Sequence, residues 1–123
     1  MPRRRVTFDT VCKLGLKLPG VEEGTMYGTP ALKVGGKLLA CIPSHKSAEP
    51  GSLAVRLDFE QRDALLADAP EAYYVKPHYV DYPCVLVRLA RITPDALQDL
   101  LTASWRFVSD HGAKRRRPRP SRR

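Results

Sequence analysis

The chain has 123 residues, 43% of them apolar and 28% charged, and a formal net charge of +8. That length suits one compact domain that buries a core without metals or crosslinks, and no apolar run approaches the roughly 20 residues a bilayer span needs, so a membrane protein is not expected. The charge is uneven: Arg3, Arg4 and Arg5, with Lys114, Arg115, Arg116, Arg117, Arg119, Arg122 and Arg123, make ten of the 21 Lys and Arg, in segments holding none of the 13 Asp and Glu. Residues 6–112 therefore carry 11 cations against 13 carboxylates, and the excess belongs to the ends of the chain rather than to a uniformly basic body.

Residues 1–5 read as a basic arm and residues 113–123 as a disordered basic tail, since the tail has no large apolar side chain whose burial could offset the entropy of ordering it. Between them, Thr7 serves as N-cap for a helix in which Phe8, Val11, Cys12, Leu14 and Leu18 recur at helical spacing until Pro19-Gly20. A polar turn is expected around Glu22, Glu23 and Gly24, and a strand from near Met26 to Val34 follows. Gly35-Gly36, flanked by Ala31-Leu32-Lys33-Val34 and Lys37-Leu38-Leu39-Ala40-Cys41-Ile42, supplies the positive φ angles of a two-residue hairpin turn.

The segment from Pro43 to Gly51 reads as a loop. Leu53, Val55 and Leu57 then alternate as in a half-buried strand, Asp58 caps a second helix that closes at Pro70, and a short strand is expected at Tyr73 to Val75. A proline- and aromatic-rich loop, Lys76 to Pro83, leads into the strand Cys84 to Leu89. Thr93 as N-cap and Pro94 at the first helical position open a last helix that ends at His111-Gly112. Strands joined by short turns favour antiparallel pairing, and helices with single apolar stripes must cover one face of the sheet. The expected architecture is a two-layer α+β sandwich with an antiparallel sheet, in the order α-β3-α-β2-α.

Several of these segments resemble the MmcQ/YjbR family in order and spacing. They are Leu18-Pro19-Gly20-Val21-Glu22-Glu23, Tyr27-Gly28-Thr29-Pro30-Ala31-Leu32-Lys33-Val34-Gly35-Gly36-Lys37, Val55-Arg56-Leu57, Pro77-His78-Tyr79, Tyr82-Pro83 and Val85-Leu86-Val87-Arg88-Leu89. The resemblance covers about Phe8 to Val108 and implies the same α-β3-α-β2-α fold with a DNA-binding-like role. It brings no catalytic residues, and the basic ends lie outside it.

Tyr73, Tyr74, Tyr79 and Tyr82 fall within ten residues together with Lys76 and His78, the mixture of rings and cations that base stacking and phosphate pairing use. The competing reading packs the tyrosines against the sheet. A groove lined by Tyr27, Lys33, Lys76, His78 and Tyr79 is one arrangement of these groups. In the other, Lys33 and Arg56 are ordinary solvent-facing strand residues.

Cys12, Cys41 and Cys84 form no Cys-x-x-Cys pair and sit in apolar runs, as reduced core thiols of a cytoplasmic protein do; His45, His78 and His111 have no metal-binding spacing. The chain is thus expected to be non-enzymatic, without cofactor or metal. It is expected to associate with nucleic acid, DNA ahead of RNA and not with membrane, through the ten basic end residues together with Lys33, Lys76, His78 and Tyr79. The alternative is a protein interaction module in which the sheet or aromatic loop docks a polypeptide and the basic ends are incidental.

Overall fold

The computed structural model describes residues 6–26, 28–43 and 48–116. The elements run α1 (Phe8–Gly15), β1 (Val21–Met26), β2 (Thr29–Val34), β3 (Lys37–Cys41), β4 (Ser52–Arg56), α2 (Phe59–Asp68), β5 (Tyr73–Tyr74), α3 (Pro77–Val80), β6 (Cys84–Arg88), a single 3₁₀ turn (Leu89–Arg91) and α4 (Pro94–Arg116). All strands are antiparallel and form one six-stranded sheet in the order β1-β2-β3-β4-β6-β5. The α+β sandwich expected from the sequence is the observed architecture.

Local chemistry accounts for most of the boundaries. The carboxylate of Asp58 accepts the Gln61 N–H at 2.7 Å, and the Thr93 hydroxyl accepts the Ala96 N–H at 3.1 Å ahead of Pro94. Gly35 and Gly36 take φ of 58° and 79° in the β2–β3 hairpin, where a side chain would be strained. Alternation along the strands then sends Leu32, Leu39, Leu53, Val55, Val85 and Val87 to one face, where they meet Val11 of α1 and Leu97 and Leu101 of α4 with almost no exposure.

Three expectations are corrected. Glu22, Glu23 and Gly24 belong to β1 and not to a turn. In this edge strand only Val21 is buried, so the apolar alternation that marks an inner strand is absent. The loop from Lys76 to Pro83 contains the one-turn helix α3, opened by Pro77 at its first position. Finally, α4 does not stop at His111-Gly112 but continues to Arg116. A glycine inside a helix costs only about 1 kcal/mol, and Ala113, Lys114, Arg115 and Arg116 are good helix formers. The remainder of the basic tail, from residue 117, lies outside the described residues, as do Arg3, Arg4 and Arg5.

Candidate functional site on the open sheet face

The face of the sheet opposite α1 and α4 carries one row of residues in register across five strands: Ala31, Cys41, Ala54, Leu86 and Tyr74. They form a second, smaller apolar cluster, against which Met26, Leu38, Ala48 and Tyr79 pack. Ala31, Cys41 and Ala54 are small, and polar neighbours flank the row.

At the β5 end those neighbours form a closed network. The Arg88 guanidinium holds both carboxylate oxygens of Glu49 at 2.9 Å and donates to the carbonyls of Pro70 and Glu71 at 3.1 and 3.2 Å. Its carbon lies 4.4 Å from the centre of the Tyr74 ring, and Lys76 Nζ lies 5.7 Å from the same centre. The Tyr74 hydroxyl accepts the Glu49 N–H at 2.8 Å and shares a short hydrogen bond with Ser52 Oγ. Hydrogen bonding to Arg88 holds the Glu49 carboxyl below its ordinary pKa, against a smaller opposing effect of burial.

α3 stands beside this network. The His78 ring meets Tyr79 edge-on with centroids 4.9 Å apart and lies 6.4 Å from Tyr82, which is 58% exposed. Buried Arg62 of α2 anchors the segment from beneath, donating to the carbonyls of Val80 and Tyr82 at 3.0 and 3.1 Å with its guanidinium 4.8 Å from the Phe59 ring. Phe59, Val80 and Tyr82 are thereby left exposed around one buried cation.

The structure therefore brings Lys76, His78 and Tyr79 together, and it divides the four tyrosines. Tyr73 and Tyr74 are buried, Tyr79 is half-buried, and Tyr82 faces solvent. It does not bring Lys33 to them. Three strands separate β2 from β5, roughly 19 Å at the usual strand spacing, so no single groove holds Lys33 with Lys76. Tyr27 lies outside the described residues.

Sequence reasoning passed over Arg88, whose partner Glu49 is 39 positions away, and Arg62. It took Arg56 as a strand residue facing solvent. Arg56 is instead half-buried, its guanidinium carbon 5.6 Å from the centre of the Phe107 ring of α4, and its Nε is buried without a hydrogen-bond partner among the described residues.

The two thiols of this face, Cys41 and Cys84, are not activated as nucleophiles. Burial pushes the Cys41 thiol up to about 11, with a smaller contribution from Cys84, and burial likewise raises Cys84. No group of three or more His, Cys, Asp or Glu among the described residues could hold a metal ion, and no helix among them is long and apolar enough to cross a membrane.

Comparison with known proteins places this geometry. The YjbR family model matches residues 16–107. Uncharacterized proteins of Mycobacterium bovis and Mycobacterium tuberculosis are 37% identical over 113 residues, covering 80% of this chain and 85% of theirs. A Deinococcus radiodurans crystal structure carrying a DUF419 domain superposes with a TM-score of 0.71 at 22% identity, over 94% of this chain and 90% of that one. This last likeness is one of fold.

Proposed function

The chain belongs to the YjbR family, and from that premise we propose that it is a non-enzymatic cytoplasmic domain that associates with nucleic acid, DNA ahead of RNA. The observation that carries this reading is the separation of charge: ten of the 21 Lys and Arg lie in residues 3–5 and 114–123 without one carboxylate. Such segments attract a polyanion by releasing its counterions, with no need to read sequence.

The body supports the reading at one place. α4 continues past Phe107, so Lys114 begins the cationic run roughly 10 Å further along the helix axis from the ring that Arg56 approaches. The half-buried Arg56 guanidinium has no carboxylate partner among the described residues and keeps its charge available to a phosphate. Lys33, Lys76, His78 and Tyr79, with exposed Tyr82, would make any contacts on the open face, phosphate pairing for the lysines and stacking for the rings.

The test is binding of labelled duplex and single-stranded DNA to the full chain across a salt series. Replacing Arg115, Arg116 and Arg117 with Gln should weaken binding alike for all DNA sequences and flatten the dependence on log salt by roughly 0.9 for each phosphate that is no longer neutralised. A full chain that binds neither DNA nor RNA at low salt overturns the proposal. The exposed Phe59, Val80 and Tyr82 favour a second reading, a protein interaction module. A protein partner that stays bound at high salt and is released by Tyr82→Ala would put that reading first.

A further inference from the structure

On the helical side of the sheet, α2 and α4 do not close on each other. Between them lies a cleft of about 360 Å³ whose floor is Leu57, Leu65, Tyr73 and Leu100. Ala64 and Gln61 line it from α2, and Ala96, Asp99 and Ala103 from α4. α2 is poorly covered for a ten-residue helix. Its single buried residue is Arg62, and Leu65 and Leu66 are only partly buried. A helix this short is not stable by itself, so its apolar residues gain by being covered.

The charge around the cleft has one dominant sign. Asp99 lines it, and the carboxylate is close enough to add to the burial that raises the Tyr73 phenol. Asp95 is four residues before Asp99 on α4, and Asp68 is four residues after Ala64 on α2, so helical spacing sets both beside the lining residues. Arg62, the cation of α2, is turned away to the carbonyls of Val80 and Tyr82. The cations lie at the far end of the stripe, Arg106 three residues beyond Ala103 and Arg56 against Phe107, four residues beyond it. The surroundings are therefore acidic in a chain of net charge +8.

We propose that this cleft docks an amphipathic helical segment of a protein partner, with apolar side chains at i, i+3 or i+4, and i+7 entering between α2 and α4 and Lys or Arg flanking them against Asp68, Asp95 and Asp99. The alanines on both helices admit the close approach of a second backbone, and the leucine floor takes the side chains it presents. Nucleic acid does not fit this cleft, since phosphates would face carboxylates. The site is thus separate from the open sheet face and from the basic ends of the chain.

The probe is a designed fourteen-residue helix with leucines at those positions and lysines elsewhere, titrated into the full chain and followed by amide chemical shifts. A counterpart with glutamates for the lysines is titrated in parallel. The lysine peptide should shift the amides of Ala64, Leu65, Ala96 and Ala103, and the glutamate peptide should bind at least tenfold more weakly.

Ala64→Trp, which fills the cleft from an exposed position, and Asp99→Lys should each weaken the lysine peptide at least tenfold with the melting temperature retained. Lys37→Gln, at the β2–β3 hairpin, should leave its affinity unchanged. The proposal falls if the lysine peptide does not bind, if both peptides bind equally, or if the shifts cluster on the open sheet face. It falls too if Ala64→Trp alters the oligomeric state of the protein alone, because the occupant is then a second copy of this chain.

Discussion

Two guanidinium groups stand at opposite ends of the β4–β6 ladder, Arg88 opposite Ser52 and Arg56 opposite Cys84. They look alike in the sequence, each the last residue of an apolar strand. Arg88 has a carboxylate, two carbonyls and an aromatic ring. Arg56 has one ring and a buried Nε with no hydrogen-bond partner among the described residues. The difference teaches that a cation's count toward ligand binding depends on what already holds it. A phosphate reaching Arg88 must displace Glu49, whereas one reaching the Arg56 guanidinium displaces no carboxylate of the described residues.

Arg62 is the extreme of the paired kind and gives the largest expected effect. The residue is 6% exposed, and its guanidinium anchors α3 to α2 through two carbonyls. Arg62→Ala orphans both acceptors and uncouples the two helices, a cost of about 3 kcal/mol by the usual worth of hydrogen bonds to charged groups. Chemical denaturation should show it. A loss below about 1 kcal/mol would mean that water replaces the guanidinium freely and that pairing is a poor guide to which cations are structural.

The direct comparison comes next. Arg88→Ala removes a partly exposed network and should cost about 1–2 kcal/mol. Arg56→Gln should change stability by less than about 0.5 kcal/mol, since its Nε gives up no hydrogen bond. DNA affinity should respond in the opposite sense, falling for Arg56→Gln and holding for Arg88→Ala at a temperature where both are folded. If Arg88→Ala alone weakens DNA binding, the open face is contacted at its β5 end, and the pairing argument fails.

These contrasts mark how far the sequence could be read. Asp58, Thr93-Pro94 and Gly35-Gly36 act within a few residues of themselves, so their helices and hairpin were legible. β1 was not, because an edge strand needs few apolar side chains and its Glu22 and Glu23 read as a turn. The site was less legible than the fold. Whether Lys33 meets Lys76 depends on strand order, and no local pattern reveals that β3, β4 and β6 lie between their strands. Arg88 and Glu49 are likewise joined only by the tertiary structure, so the sequence could name the loop around Tyr74 as rich in rings and cations without telling that its tyrosines divide between core and surface.

The smallest expected effect isolates one ion pair of the Arg88 network by pH. Hydrogen bonding to Arg88 lowers the Glu49 carboxyl from its ordinary 4.5, so the folded state favours the ionised form. A lowered carboxylate contributes stability that is complete above its unfolded pKa and is lost as pH falls through the folded value. Glu49→Gln keeps the backbone N–H that Tyr74 accepts and removes only the charge. The melting temperature of Glu49→Gln should therefore lie slightly below that of the unaltered protein near neutral pH, and the gap should close as the solution is acidified below 4.5. Added salt should narrow it, because the carboxylate is 39% exposed. In an Arg88→Ala background the gap should vanish at every pH. A gap that survives in acid, or without Arg88, would show that Glu49 acts through its shape and packing rather than its charge, and that Arg88 is held chiefly by Pro70, Glu71 and the Tyr74 ring.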